Sequence, residues 1–197
     1  MNRGLIVVGI VLLIGIGAFA FNMGAGGSGG TALTPVEFEG MEDPETLARV
    51  AQPMTSGGAS ARISIVEFGD YACPACAGFA TTIKPQIDLT YGDAEDVNFV
   101  FYDFPISNIL PHAFLAARAA RCADDQGRFW EYHAELFQNQ SAWSLAGAPP
   151  LGQMEDYAET VGLDAGAFSS CLRSDRYADV VTANLRLGES LGISGTP

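Results

Sequence analysis

Basic side chains are scarce in this sequence. Its 197 residues carry 10 Lys+Arg against 23 Asp+Glu, a formal net charge of −13, and 2 His. A surface of that sign repels phosphate backbones and anionic lipid, which argues against nucleic-acid binding. Cysteine is also sparse. Four of them in a chain of this length are too few to replace a core, and 197 residues can bury a core of their own. No internal repeat is present, and the one low-complexity stretch is the glycine-rich run near residues 24–30. The length fits one domain with appendages.

What the chain does have begins at its amino end. Residues 4–21, GLIVVGIVLLIGIGAFAF, run without a charge behind Arg3, which reads as an export signal. Two readings stay open. Ala18-Phe19-Ala20 offers a small-x-small cleavage pattern, while 18 apolar residues are long enough to span a bilayer as an anchor. The tether Gly24-Ala25-Gly26-Gly27-Ser28-Gly29-Gly30 favours the anchor, because a flexible spacer serves to hold a domain off a membrane. Either way the domain is expected in an oxidising, periplasmic or otherwise extracytoplasmic compartment, with residues 4–21 as a candidate inner-membrane tether. Residues 22–60 read as a flexible linker. Within it Asp43, Pro44 and Glu45 supply a cap, an N1 proline and an early acid for a short helix over 43–51, and Gly57-Gly58-Ala59-Ser60 marks the domain boundary.

The domain then opens on Ile63, Ile65, Val66 and Phe68, an apolar run suited to a buried strand. Phe79, Ile83, Ile87 and Tyr91 recur every four residues, predicting a helix over 75–91 that Pro85 should kink. A second strand is predicted over 97–102. Strand, helix and strand make residues 61–104 a βαβ unit. Beyond Pro105 the spacing is helical only, over 111–123, 128–138, 151–161, 165–172 and 176–191, so residues 105–191 read as an inserted helical subdomain. Residues 192–197 return towards the α/β part. Two strands make a poor sheet, so its closing part is expected to be missing from this sequence.

Cys73-Pro74-Ala75-Cys76 lies where the first strand gives way to the first helix. Thiol exchange requires a thiolate, yet free cysteine titrates near ~8.5. A helix N-terminus favours the anion through its unpaired N–H groups and positive dipole end, and CxxC thiols so placed fall to ~3.5 to ~7.5. Cys73 is therefore expected to attack or be attacked, and the inward Cys76 to resolve the mixed disulfide. Pro74 and Ala75 form the active-site loop, with Pro74 at N1 restraining the turn. A zinc site is the alternative for a CxxC, but no second pair exists and His112 and His133 lie in other segments. No metal is expected. The two histidines are expected to be packing or surface residues.

The run Val66-Glu67-Phe68-Gly69-Asp70-Tyr71-Ala72-Cys73-Pro74-Ala75-Cys76 is joined by Arg121-Cys122-Ala123, by Gly127-Arg128-Phe129-Trp130-Glu131-Tyr132-His133 and by Gly195-Thr196-Pro197. Together these motifs resemble the DsbA-like thiol:disulfide interchange proteins over about residues 55–197. The thiol range given above is that of thioredoxin and DsbA proteins themselves. The resemblance implies an α/β, thioredoxin-like fold with an inserted helical subdomain. It implies that Pro197 is the family's cis-proline, with Thr196 offering its backbone to a substrate peptide. In the family a β-hairpin and helix follow that proline, so the sequence reads as truncated and lacking them.

Glu67 falls six residues before Cys73, where the family carries a buried acid. The residue alone points the same way, since a carboxylate in an apolar strand is costly unless it works, and a raised pKa would let it shuttle the Cys76 proton; a partly exposed strand-end acid is the alternative. Ala75 departs from the family: strongly oxidising members have histidine in that slot, so a weaker oxidant is expected. Cys122 and Cys171 are expected to form a structural disulfide closing a loop of about 50 residues, worth ~4 kcal/mol, with a second redox pair as the alternative.

The expectation is an exported thiol:disulfide oxidoreductase needing no diffusible cofactor. Its partners would be unfolded or thiol-bearing exported proteins and a membrane redox partner, DsbB-like, or DsbD-like if electrons flow the other way. Reductase or isomerase duty and a tethered thiol metal-binding module are the alternatives.

Overall fold

The computed structural model describes residues 30–92 and 94–197. The signal or anchor expected at 4–21 and the tether at 24–29 lie outside those residues. Among the described residues no helix is long and apolar enough to cross a membrane.

Three strands form one mixed sheet: β1 (Met54–Gly57), β2 (Ile63–Gly69) and β3 (Val97–Asp103), in the order β1-β3-β2. β2 runs parallel to β3 with Glu67 opposite Phe101, and β1 runs antiparallel with Met54 opposite the same Phe101. β1 corrects the linker reading of 22–60. Residues 44–57 form a helix and a strand of the fold: α1 (Pro44–Ala51) is capped by the Asp43 carboxylate on the Thr46 N–H at 2.9 Å. The four residues of β1, Met-Thr-Ser-Gly, carry no usable alternation, so only their partner β3 defines them as a strand.

Strand residues alternate between faces. Ile65, Glu67 and Gly69 therefore share a face with their partners Phe99, Phe101 and Asp103. That face packs on the turn after β2 and on α5 (Phe129–Gln138), through Phe101 against Tyr71 and Phe99 against Trp130. On the other face Phe68 stacks on Tyr102, under α9 (Ala178–Ser190). A Cβ at Gly188 of α9 would come within 2.7 Å of the Phe104 ring, so that helix can lie close only because residue 188 has no side chain.

The helix predicted over 75–91 is divided into α2 (Pro74–Gly78), a π-helical turn (Phe79–Ile83) and α3 (Lys84–Tyr91). Pro85 has no N–H to give to the carbonyl four residues back, and its ring crowds that carbonyl. The widened turn lies immediately before it and relieves the crowding, so the disturbance expected at Pro85 takes the form of a π turn.

The helices α4 (Ala113–Asp124), α5, α6 (Gln140–Trp143), α7 (Leu151–Thr160), α8 (Ala165–Leu172) and α9 follow β3. Only the single turn α6 was not legible in the helical spacing. Cys122 of α4 is bonded to Cys171 of α8, with Cα atoms 5.8 Å apart. Eleven of the twelve residues of α4 are buried, making it the axis of the helical part.

Candidate active site

β2 delivers the chain to Asp70, which turns it. The Asp70 carboxylate accepts the N–H of Ala72 at 2.7 Å and that of Ile106 at 2.8 Å, and its carbonyl accepts the N–H of Cys73 at 3.1 Å. An aspartate bonding the backbone two residues on is the Asx turn, which the sequence Asp-Tyr-Ala-Cys permits. The turn leaves Cys73 extended (φ −78°, ψ 123°) at the N-cap of α2, with Pro74 at N1. The Cys73 side chain makes no capping bond and stays half-buried, whereas Cys76, one turn in, is fully buried. Both are free thiols. Pro74 and Ala75 are exposed beside them.

The two sulfurs differ chemically. Partial burial opposes ionisation of Cys73, but the Thr196 hydroxyl, the N–H groups of Cys76 and Ala75 and the neighbouring Cys76 thiol outweigh it and hold the thiol below its ordinary value. Burial pushes the Cys76 thiol up to about 12, against the N–H of Asp70, which points at its sulfur from 3.4 Å. A proton thus leaves Cys73 far more readily than Cys76.

The chain's last residues meet the redox turn. Cys73 Sγ lies 3.8 Å from the carbonyl oxygen of Thr196, and the Thr196–Pro197 peptide bond is cis. The Thr196 hydroxyl is buried without a partner, so it is free to donate to a thiolate. Glu67 is 5% exposed and neither carboxylate oxygen has a hydrogen-bond partner. Burial raises its pKa to about 7, with Lys84 pulling the other way. Asp70 is likewise raised by burial, to about 6, against the three backbone N–H groups it accepts.

Three residues near the turn carried no functional reading in the sequence. Asp70 lies three residues before Cys73, where its Asx-turn spacing was the available signal. Gln140 of α6 donates from its amide nitrogen to the carbonyls of Tyr71 at 2.7 Å and Cys73 at 2.8 Å. It stands 69 residues from Tyr71, so no local pattern could reveal it. His133 is buried among Tyr71, Phe101, Trp130 and Phe137, with Nδ1 3.0 Å from the Tyr71 hydroxyl. Burial drives its pKa down to about 3, so the ring is neutral and packs the underside of the turn. His112 bonds the Ala146 carbonyl at 2.8 Å, away from the thiols. Among the described residues no three His, Cys, Asp or Glu side chains cluster so as to hold a metal ion.

Residues 49–197 match a family profile described as thioredoxin. Among curated proteins the chain is 33% identical over 141 residues to the Na(+)/H(+) antiporter NhaA 1 of Salinispora arenicola, covering 72% of this chain and 20% of the antiporter. It thus spans about a fifth of that relative's length. It is also 31% identical over 143 residues to Disulfide bond formation protein D of Bacillus subtilis, covering 70% of this chain and 62% of that protein. Among solved structures, oxidised BdbD from Bacillus subtilis superposes with a TM-score of 0.64 at 27% identity, over 75% of this chain and 82% of BdbD. A double Cys-to-Ala variant of Wolbachia pipientis α-DsbA1 shares the fold, with a TM-score of 0.66 at 21% identity over 74% of this chain and 72% of its own. With its CxxC at a helix N-cap and a helical layer following β3, the chain belongs to the thioredoxin family, and it shares its fold with DsbA structures.

Proposed function

We propose that this chain is a thiol:disulfide oxidoreductase that passes a Cys73–Cys76 disulfide to the cysteines of exported proteins. In the oxidised form a substrate thiolate attacks Cys73 Sγ, the Cys73–Cys76 bond breaks, and Cys76 leaves as a thiolate that takes a proton from Glu67. A second substrate thiolate then attacks the substrate sulfur of the mixed disulfide and releases Cys73 as the stabilised thiolate. Two electrons have moved from the substrate dithiol to the CxxC. The observation that carries this reading is the asymmetry of the sulfurs, one half-buried and held below the ordinary thiol range, the other fully buried and pushed up to about 12. Thr196 and Pro197 lie where an extended peptide would pair with backbone beside Cys73, which supports their role in substrate binding.

The substrates are unfolded or thiol-bearing proteins outside the cytoplasm, and a DsbB-like membrane protein reoxidises the pair. Residues 4–21 carry the chain across the membrane, as a cleaved signal or as a tether. Ala75 favours a second reading, a reductase or isomerase served by a DsbD-like partner, because that slot holds no histidine to stabilise the thiolate further. The test is refolding of a reduced disulfide protein with the oxidised chain. Wild type is expected to yield active substrate and reduced Cys73–Cys76, and Cys73→Ser to yield none. Turnover by Cys73→Ser equal to wild type would discard the assignment, and an equilibrium with glutathione as oxidising as that of histidine-bearing members would discard the second reading.

A further inference from the structure

Among the side chains of the helical insertion, Gln140 reaches the redox turn through both donors of one amide. Its nitrogen bonds the Tyr71 carbonyl at 2.7 Å and the Cys73 carbonyl at 2.8 Å, bracketing Ala72, while the N–H of Ala72 is held from within by the Asp70 carboxylate at 2.7 Å. Gln140 is 8% exposed, so these bonds form out of competition with water. The Cys73 carbonyl also accepts the Ala77 N–H at 3.1 Å, the first helical bond of α2. Gln140 therefore grips the junction at which extended chain becomes helix. The geometry points to Gln140 as a positioning residue for the thiol reaction: the helical insertion, through this one amide, fixes the backbone of Tyr71 and Cys73 so that Sγ stays at the N-cap of α2 and opposite Thr196.

Gln140 bonds the Tyr71 and Cys73 carbonyls and makes no hydrogen bond to Sγ, so its influence runs through the backbone. When the two carbonyls lose their donor, the turn is free to rotate, and Sγ moves away from the nearby Ala75 and Cys76 N–H groups, which favour the thiolate without capping the thiol. The thiolate is then less favoured. This inference rests on Cys73 being the reactive thiol, and the experiment separates the two ideas.

Alkylation of the reduced full-length chain by iodoacetamide, followed from about pH 4 to about pH 9, reports Cys73, because Cys76 is buried and its thiol pushed up to about 12. Gln140→Leu is expected to move the midpoint up by about one pH unit, lowering the rate at pH 6 about tenfold. Trp143→Phe is the control: it removes the Trp143 Nε1 bond to the Leu136 carbonyl at 3.0 Å, which anchors the same short helix without touching the turn. It should lower thermal stability and leave the profile in place. A Gln140→Leu profile superimposed on wild type, or an equal shift in Trp143→Phe, overturns the inference. Should Gln140→Leu fail to fold, the isosteric Gln140→Glu carries the test, with the same shift expected and an unchanged profile counting against it. A wild-type thiol that titrates as an ordinary peptide thiol would instead remove the proposed function.

Discussion

Glu67 is buried at a cost that depends on pH. Its folded pKa of about 7 stands above the ordinary 4.5, because burial disfavours the carboxylate more than Lys84 favours it. Below pH 4.5 the folded and unfolded chains both hold the proton and no penalty arises. Between that value and about 7 the unfolded chain gives it up while the folded chain keeps it, so stability falls as pH rises through this window. The full shift corresponds to about 3 kcal/mol. Glu67→Gln should therefore match wild type near pH 4 and exceed its stability at pH 8 by up to about 3 kcal/mol in urea unfolding of the reduced chain. Equal stability of the two at pH 8 would show that the carboxylate is solvated after all. Asp70 is raised in the same direction, but it is present in both proteins and cancels from the difference. Loss of the proton donor should also slow formation of the mixed disulfide, the step in which Cys76 leaves, about a hundredfold near pH 7 and flatten its pH dependence there, read by stopped-flow quenching.

At the scale of elements, the bond between Cys122 of α4 and Cys171 of α8 closes a loop of sequence separation 49. A loop of that length is worth about 4 kcal/mol by restricting the unfolded chain. Cys122→Ala with Cys171→Ala should lower the unfolding free energy by about that much while leaving the alkylation profile of Cys73 unchanged; a shifted profile would mean that this pair communicates with the redox turn. The elements also show what could be read from the residues. The long helices were legible because their apolar spacing repeats over several turns, and the CxxC could be placed at a helix start because Pro74 marks N1. Glu67 stood out as a carboxyl group inside an apolar strand. β1 and α6 were not legible: four residues hold too little periodicity, and each owes its form to a distant partner, β3 for one and the redox turn for the other. The Asx-turn spacing of Asp70 was open to reading locally, but its second bond, from the Ile106 N–H 36 residues away, was not.

Across the whole molecule, two buried arginines of α4 bind the parts that the sequence suggested were separate. Arg118 donates to the carbonyls of Ala32, Leu172, Ser174 and Arg176, tying the chain before the sheet to the end of α8. Arg121 donates to the Asp103 carboxylate at 2.5 and 2.8 Å and to the Gln52 carbonyl at 2.5 Å, joining β3, α4 and the link between α1 and β1. Asn184 of α9 adds a bond to the Ala51 carbonyl at 2.5 Å. Residues 32–57 are thus held by side chains far away in sequence, which is why a polar, glycine-bounded stretch that resembled a linker folds with the rest. Asp103 is fully buried, and burial raises its pKa even against the Arg121 guanidinium, whose charge and hydrogen bonds favour the carboxylate. Arg121→Met leaves that carboxyl group buried beside an apolar chain and should cost about 3–5 kcal/mol. Adding Asp103→Leu removes the stranded group, so the double variant should recover most of the loss, as expected when the penalty comes from an uncompensated charge. If the α1–β1 segment belongs to one cooperative unit with the helical insertion, urea unfolding of Arg121→Met followed at α1 and at α8 should give a single shared midpoint. Two separate midpoints in the wild type would show instead that the segment and the insertion fold independently, and that the arginines merely bridge them.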